Sequence, residues 1–409
     1  MEEKRKAPEL RFPGFTDDWE QRKLGECCEQ LTATIDPQQT PNKIFKEYSM
    51  PAYDFQKIPD VVAGLTMNSS RKVIDRSCLL INKLNVRKKR IWKVENPGNN
   101  AVCSAEFVPV YSDKADLSFL QYVVCNDKFT NYLEGCSSGT SNSQKRVTPE
   151  VIMDARIMAP CKAEQQKIGA FFSMLDKAIA LHQSKENLLR ELKKGMLQKI
   201  FSQEIRFKDD NGQNFPDWEN KKLGELVTFQ NGFNGGKECF GTGMPLISVN
   251  EVLSDSPVFH DNIKGKANID DETQSRFLVE YGDILFQRSS ETREEAGSSN
   301  VYLDKSHPAI FGGFVIRGKK KENYCPEFIR YALKAEFVRH EIFKLAQGAQ
   351  HINIGQDMLS TLKVDFPSIP EQKKIANVLS DIEKRITAEQ KKVSSLQTMK
   401  KGFLQKMFV

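Results

Sequence analysis

The sequence has no run of 18 or more apolar residues, which excludes a helix able to cross a membrane. Its first residues, MEEKRKAPELRF, lack the apolar centre of a signal peptide, so a cytoplasmic protein is expected. The nine cysteines form no Cys-x-x-Cys pair, and His182, His260, His307, His340 and His351 are scattered. No zinc spacing results, and in a reducing compartment the thiols are expected to be buried or inert rather than bridged. There is no Gly-x-x-x-x-Gly-Lys-Ser/Thr loop to cradle ATP phosphates and no Asn/Asp-Pro-Pro-Tyr segment for adenine methylation. Phe240-Gly241-Thr242-Gly243 has the look of a cofactor glycine loop, but MPLISV follows it and reads as a strand where a helix would be needed. The Asp and Glu-x-Lys within residues 216–221 are too crowded for a nuclease strand pair. The chain is therefore expected to carry no catalytic residue, no metal site and no cofactor of its own.

What the chain does have is a repeat. Residues 164–201 and 371–408 align without a gap at an offset of 207, with 17 of 38 positions identical. Both copies begin Glu-Gln and end Lys-Lys-Gly, an apolar residue, Leu-Gln-Lys, an apolar residue and Phe. Apolar side chains recur at 3–4 spacing, with Ile168, Leu175 and Leu189 in the first copy and Ile375, Ile382 and Leu396 in the second, and neither copy contains proline. Each copy predicts a helix of about 57 Å at about 1.5 Å per residue. Each needs a partner for its stripe, and the other copy is the nearest candidate. His182 and Glu389 interrupt the two stripes near their centres. In an antiparallel pair these two are expected to meet as a polar, register-setting contact; the alternative is two unrelated solvated residues. The stripe ends 200–201 and 407–408 are expected to be exposed until a partner covers them.

The repeat extends beyond the helices. A lead-in of Arg-Phe followed by Asp-Trp-Glu-x-x-Lys-Leu-Gly-Glu occurs within residues 10–26 and again within residues 205–225. Between lead-in and helix, each half runs through strand-like segments (77–81 and 105–111; 245–249, 283–286 and 308–316). A helical stretch follows (117–129; 326–346), then a polar loop (135–146; 348–356) and a strand ending in proline (156–160; 363–367). Mixed strands and helices make each half an α/β or α+β domain. The expected layout is residues 1–161, a first domain; 162–204, a central helix; 205–369, a second domain; and 370–409, a C-terminal helix.

Charge is uneven. The net charge is +6, while residues 162–201 carry +4 and residues 371–409 carry +5, which leaves about −3 for the rest. If the globular parts bind a polyanion, they must do so through local patches. In the first half the candidates are Lys83, Arg87, Lys88, Lys89 and Arg90 after the strand at 77–81, and Asn142, Gln144, Lys145 and Arg146 in the polar loop. In the second they are Gln287, Arg288, Ser289 and Arg293 after the strand at 283–286, Gln350, His351 and Asn353 in the polar loop, and Asn234 and Lys237 in a glycine-rich segment. Arg pairs well with guanine edges, Asn and Gln with adenine edges, and Lys with phosphate. The plain alternative for each patch is a solvated face or surface loop.

Two α/β halves, each led in by Trp-Glu-x-x-Lys-Leu-Gly-Glu and closed by a long helix starting Glu-Gln-x-Lys-Ile, resemble the specificity subunit of type I restriction-modification systems. The resemblance covers essentially the whole chain. It implies two tandem target recognition domains separated by two long repeated helices that form an antiparallel coiled coil with pseudo-two-fold symmetry. Each domain would read half of a split, asymmetric double-stranded DNA site, and the helices would fix the unread spacer. It implies docking of two modification subunits, which carry S-adenosylmethionine and methylate adenine, and of restriction subunits that use ATP and Mg, all in a bacterial or archaeal cytoplasm. A coiled-coil adaptor that binds only protein, or a stand-alone nuclease or methyltransferase, are the rival readings.

Overall fold

The computed structural model describes residues 7–139, 144–348 and 351–408. The chain divides into two compact units, residues 1–183 with 391–409, and residues 184–390. The two long helices span Lys162–Phe201 and Ile369–Met407, close to the limits set by the repeat. Each unit therefore holds a globular part, the first half of the helix that follows it, and the last half of the other helix.

In the first unit the fully buried strand Cys78–Asn82 lies between Phe107–Tyr111 and Ile91–Val94 in an antiparallel sheet, with Glu29–Gln30 at its edge. A five-stranded sheet runs in the order Thr34–Ile35, Arg71–Val73, Ala101–Cys103, Ile44–Tyr48, Asp60–Ala63, with one parallel pair between Ile44–Tyr48 and Ala101–Cys103. The second unit repeats the plan. One sheet orders Val227–Asn231, Val315–Lys320, Ile284–Gln287, Ser299–Val301. Another orders Gly265–Ala267, Phe240–Ile247, Ala309–Phe311, Leu278–Val279, again with one parallel pair. The glycine segment 240–243 opens the strand Phe240–Ile247, as its sequence context requires.

Three expected elements are split. The stretch at 117–129 forms two helices, Leu117–Val124 and Asp127–Gly135, because the Asn126 side chain caps a new start by accepting from the Phe129 N–H at 2.7 Å. The stretch at 326–346 forms Pro326–Ala332 and Glu336–Leu345. The run at 308–316 breaks into Ala309–Phe311 and the strand from Val315, because Gly312 and Gly313 make a turn between them.

The repeated letters have repeated structural jobs. The buried Glu164 accepts from two guanidinium nitrogens of Arg11, at 2.9 and 2.7 Å, and the buried Glu371 accepts from two of Arg206, at 2.8 and 3.0 Å. The next residue bridges strand to helix in each unit. Gln165 donates to the Pro160 carbonyl and accepts from the Asp116 N–H; Gln372 donates to the Pro367 carbonyl and accepts from the Cys325 N–H. Arg-Phe and Glu-Gln, 153 and 165 residues apart, thus form one lock that ties lead-in, domain and helix together.

Within each unit the two helices run antiparallel and clamp the domain. In the first, Phe171 meets Phe403 edge-on, and Asp176 accepts from both Lys400 and Tyr122. In the second, Glu383 accepts from Lys193 at 2.6 Å and Tyr331 at 2.8 Å. The last aromatic residue of one helix packs on the lead-in Trp and domain Phe of the other copy: Phe408 on Trp19 and Phe119, Phe201 on Trp218 and Phe328. This corrects the expectation of exposed stripe ends, since Ile200 and Met407 are buried. Ile168, Leu175, Ile375 and Ile382 are buried as the stripe predicts, and Leu189 and Leu396 are half-buried. His182 belongs to the first unit and Glu389 to the second.

Candidate nucleic-acid interface

In the first unit the strand Cys78–Asn82 delivers the chain into a tight loop. Asn85 and Lys89 sit in the left-handed region, at φ +51° and +47°, around a single turn at Val86–Lys88. The polar loop is stitched to it: the Asn85 N–H donates to the Lys145 carbonyl, Val147 N–H to Lys83, and Arg146 bridges to Leu84 and Ser138. Lys83, Arg87, Lys88, Gln144, Lys145 and Arg146 are therefore brought together.

The basic run is not uniformly available. Arg90 is only 8% exposed, and its guanidinium forks onto Asp54 at 2.7 and 2.6 Å, so it braces the loop rather than facing solvent. The Arg90 hydrogen bonds hold the Asp54 carboxyl below the usual carboxylate range. Arg87 pairs with Glu134, Lys89 with Asp127 and Arg146 with Glu106, all near the surface, where such pairs exchange readily for a phosphate. Lys88 is exposed with no ion pair among the described residues.

The second unit joins the same two segments. Ser289–Ser290 pairs with Ile352–Asn353, and the Ile354 N–H donates to the Arg288 carbonyl. Arg288, Ser289, His351 and Asn353 are thus neighbours. Asn234 joins them through the turn at Gly312–Gly313: a Cβ on Gly313 would lie 1.6 Å from the Asn234 Oδ1, and Arg288 donates to the Gly313 carbonyl at 3.4 Å. Arg293 is exposed with its guanidinium over Phe343, and Lys237 lies exposed in a single turn at Lys237–Cys239. Gln287 does not reach the surface. It is 4% exposed and its amide donates to the Ser289 carbonyl, so it shapes the loop from inside. Asn142 and Gln350 lie outside the described residues.

Two contributors carried no sequence signal. Arg339, on the helix Glu336–Leu345, donates to the carbonyls of Glu294, Ala296 and Gly297 and pins the loop that carries Arg293. Gly297 is required at that pin, with φ +65° and a Cβ position 2.6 Å from Ile342. Phe314 follows the glycine turn beside Arg288. Among the described residues there is no cluster of His, Cys, Asp and Glu that could hold a metal, and no helix long and apolar enough to cross a membrane.

A model of the type I restriction modification DNA specificity domain matches the chain twice, over residues 16–191 and 216–398. The putative type I restriction enzyme MjaX specificity subunit of Methanocaldococcus jannaschii is 27% identical over 217 residues, 52% of this chain and 50% of that protein. The MjaVIII specificity subunit of the same organism is 24% identical over 285 residues, 67% and 65%. The chain thus spans about half the length of the first relative and just under two thirds of the second. Among solved structures, the type I restriction-modification S subunit of M. genitalium aligns at TM-score 0.61 and 14% identity, over 98% of this chain and 99% of that one. A chain from a structure of type I R-M system assembly aligns at 0.52 and 19%, over 98% and 99%. At these identities the likeness is one of fold. The two family matches fall one on each half of the repeat and together take in most of the sequence, and the chain belongs to the type I restriction modification DNA specificity family.

Proposed function

We propose that this chain is the DNA-reading, non-catalytic subunit of a type I restriction-modification complex, with one domain for each half of a bipartite, asymmetric site. One observation carries the reading. The same two loops are brought together twice on the same scaffold, but with different side chains: Arg87, Lys88, Gln144 and Lys145 in one unit, Arg288, Ser289, His351 and Asn353 in the other. A repeated frame with unrelated loops suits two readers of unlike sequence. Methylation with S-adenosylmethionine and cleavage with ATP and Mg are assigned to two modification subunits and to restriction subunits. Met174 and Leu181 in the first unit, and Leu188 and Leu192 in the second, leave large apolar side chains exposed, which supports docking of such partners.

Methylome sequencing of cells that express the chain with its modification subunit tests this reading. The expected result is a split, asymmetric motif with methylated adenine in each half, lost on deletion of the chain. Exchange of residues 205–368 for those of a relative is expected to change one half-site only. If no motif depends on the chain although the modification subunit is expressed and bound, the protein-adaptor reading replaces this one.

Replacing Arg288 and Arg293 together with alanine is expected to weaken binding to the target. The slope of log K against log salt should shallow by about 0.9 for each phosphate that the variant leaves unneutralised. Unchanged affinity and slope at matched salt would favour the protein-adaptor reading.

A further inference from the structure

Phe314 is a large apolar side chain left 69% exposed in the middle of a polar cluster. It is not on a loose loop. Val315 N–H donates to the Gly312 carbonyl across the turn, Gly232 N–H donates to Val315, and the Arg288 N–H donates to the Phe314 carbonyl at 2.9 Å. A Cβ on Gly232 would lie 2.1 Å from the Gly312 backbone carbonyl oxygen, so that residue must stay glycine for the chain to pass this close to the turn. The Cβ position of Gly313 lies 1.6 Å from the amide oxygen of the exposed Asn234 side chain, which places Asn234 against the turn. The backbone thus sets a turn with Phe314 at its tip and with Arg288 and Asn234 both close to Gly313, the residue before it. An exposed phenyl ring held in place gains nothing for the isolated fold, because its apolar surface stays in water. The first unit has Ser104, Ala105 and Glu106 between the corresponding strands, with no aromatic side chain.

Resting on the DNA-reading assignment, we propose that Phe314 contacts a thymine 5-methyl group in the major groove of the half-site read by the second unit. The chemistry of its neighbours selects this occupant. Arg and Asn side chains read guanine and adenine edges in the major groove, and the one apolar feature displayed beside those edges is the thymine methyl. The ring therefore supplies the base discrimination that its polar neighbours cannot. It makes the two half-sites differ in thymine dependence as well as in hydrogen-bond pattern.

The test is a thymine-to-deoxyuridine scan of the methylated motif, one position at a time on both strands, with binding measured for the complex of this chain and its modification subunit. In the wild type, one substitution in the second half-site is expected to weaken binding about four-fold, the effect of removing one buried methyl. Phe314→Ala is expected to bind the unmodified site more weakly and to lose its response at that position, while Phe314→Leu retains part of it. The proposal is overturned if no deoxyuridine position separates wild type from Phe314→Ala. It is equally overturned if the variant loses affinity without any deoxyuridine dependence, which would make the ring a wedge between base pairs. Failure of the variant to co-purify with its modification subunit would assign the ring to a protein interface and overturn it too. If the wild-type complex does not prefer the motif over a scrambled duplex, the DNA-reading assignment itself fails, which is a separate result.

Discussion

Replacing Arg206 with methionine is expected to destabilise the second unit by about 3–5 kcal/mol, because it strands a buried carboxylate. Glu371 is fully buried and has two guanidinium donors at 2.8 and 3.0 Å, with the Trp218 indole N–H as third donor at 3.3 Å. Without the arginine, the indole is the one side-chain donor left to Glu371 among the described residues. The single variant Glu371→Leu is expected to cost less, because the Arg206 side chain is partly exposed and also donates to the carbonyls of Phe215 and Pro216. The double variant is expected to recover most of the loss, since an apolar pair of similar volume avoids desolvation altogether. Urea denaturation read through Trp218 fluorescence checks the cycle. A loss under about 1 kcal/mol for Arg206→Met would mean the pair behaves like a surface ion pair. Arg11→Met in the first unit should cost at least as much, because the buried Trp19 N–H has no hydrogen-bond partner among the described residues and lends Glu164 no indole donor.

That lock explains why the architecture could be read from the sequence while much of the candidate interface could not. Helix periodicity and the fixed offset of 207 give both long helices to within a few residues, since a buried stripe leaves a regular imprint. Repetition also marks Arg11, Trp19, Glu164 and Gln165 and their counterparts as important, but their pairing is not visible. Partners 153 residues apart obey no local rule, and only the fold brings them together. The loops fare worse. Arg87 through Arg90 are four consecutive cations with different fates, decided by Asp54, Asp127 and Glu134 on segments 36 to 47 residues away. Gln287 reads as a surface amide because it follows an apolar strand, yet the strand continues one residue further and carries it inside. Phe314 is hidden by the opposite error. An aromatic residue in an apolar run reads as core, and only the turn at Gly312–Gly313 turns it outward. Helix pairing is similarly half legible. Leu192 and Met399 fit the apolar stripes but remain exposed, because the stripe is wider than the seam it fills.

Lys334→Met is expected to stabilise the second unit by about 3 kcal/mol at pH 7, with the gain fading as pH rises. Lys334 follows the helix Pro326–Ala332, beside the clamp that joins Tyr331, Glu383 and Lys193. Burial, and then the nearby cations Arg330 and Lys193, push its ammonium down to about 8 from 10.5, against the weaker pull of Glu383 and Asp255. Glu383 is already committed: it accepts from Arg330 at 2.8 Å as well as from Lys193 and Tyr331. Burial raises its carboxyl, but the bonds to Arg330 and Lys193 outweigh that and hold it below the usual carboxylate range. A third cation therefore shares a carboxylate that has no strong bond left to give. The sign follows from proton counting. Below pH 8 the lysine is charged in both states and the folded unit bears the whole penalty. Between about 8 and 10.5 the folded state sheds the proton while the unfolded chain keeps it, so wild-type stability climbs toward that of the variant. Above that window neither state is charged. Methionine keeps most of the apolar stem without the ammonium, so packing is largely retained. Paired urea denaturations of wild type and variant at about pH 7 and pH 10 should show a gap that narrows at the higher pH. An equal gap at both would mean that packing, not charge, separates the two proteins. A variant less stable than wild type at neutral pH would show that the ammonium is a favourable part of the clamp.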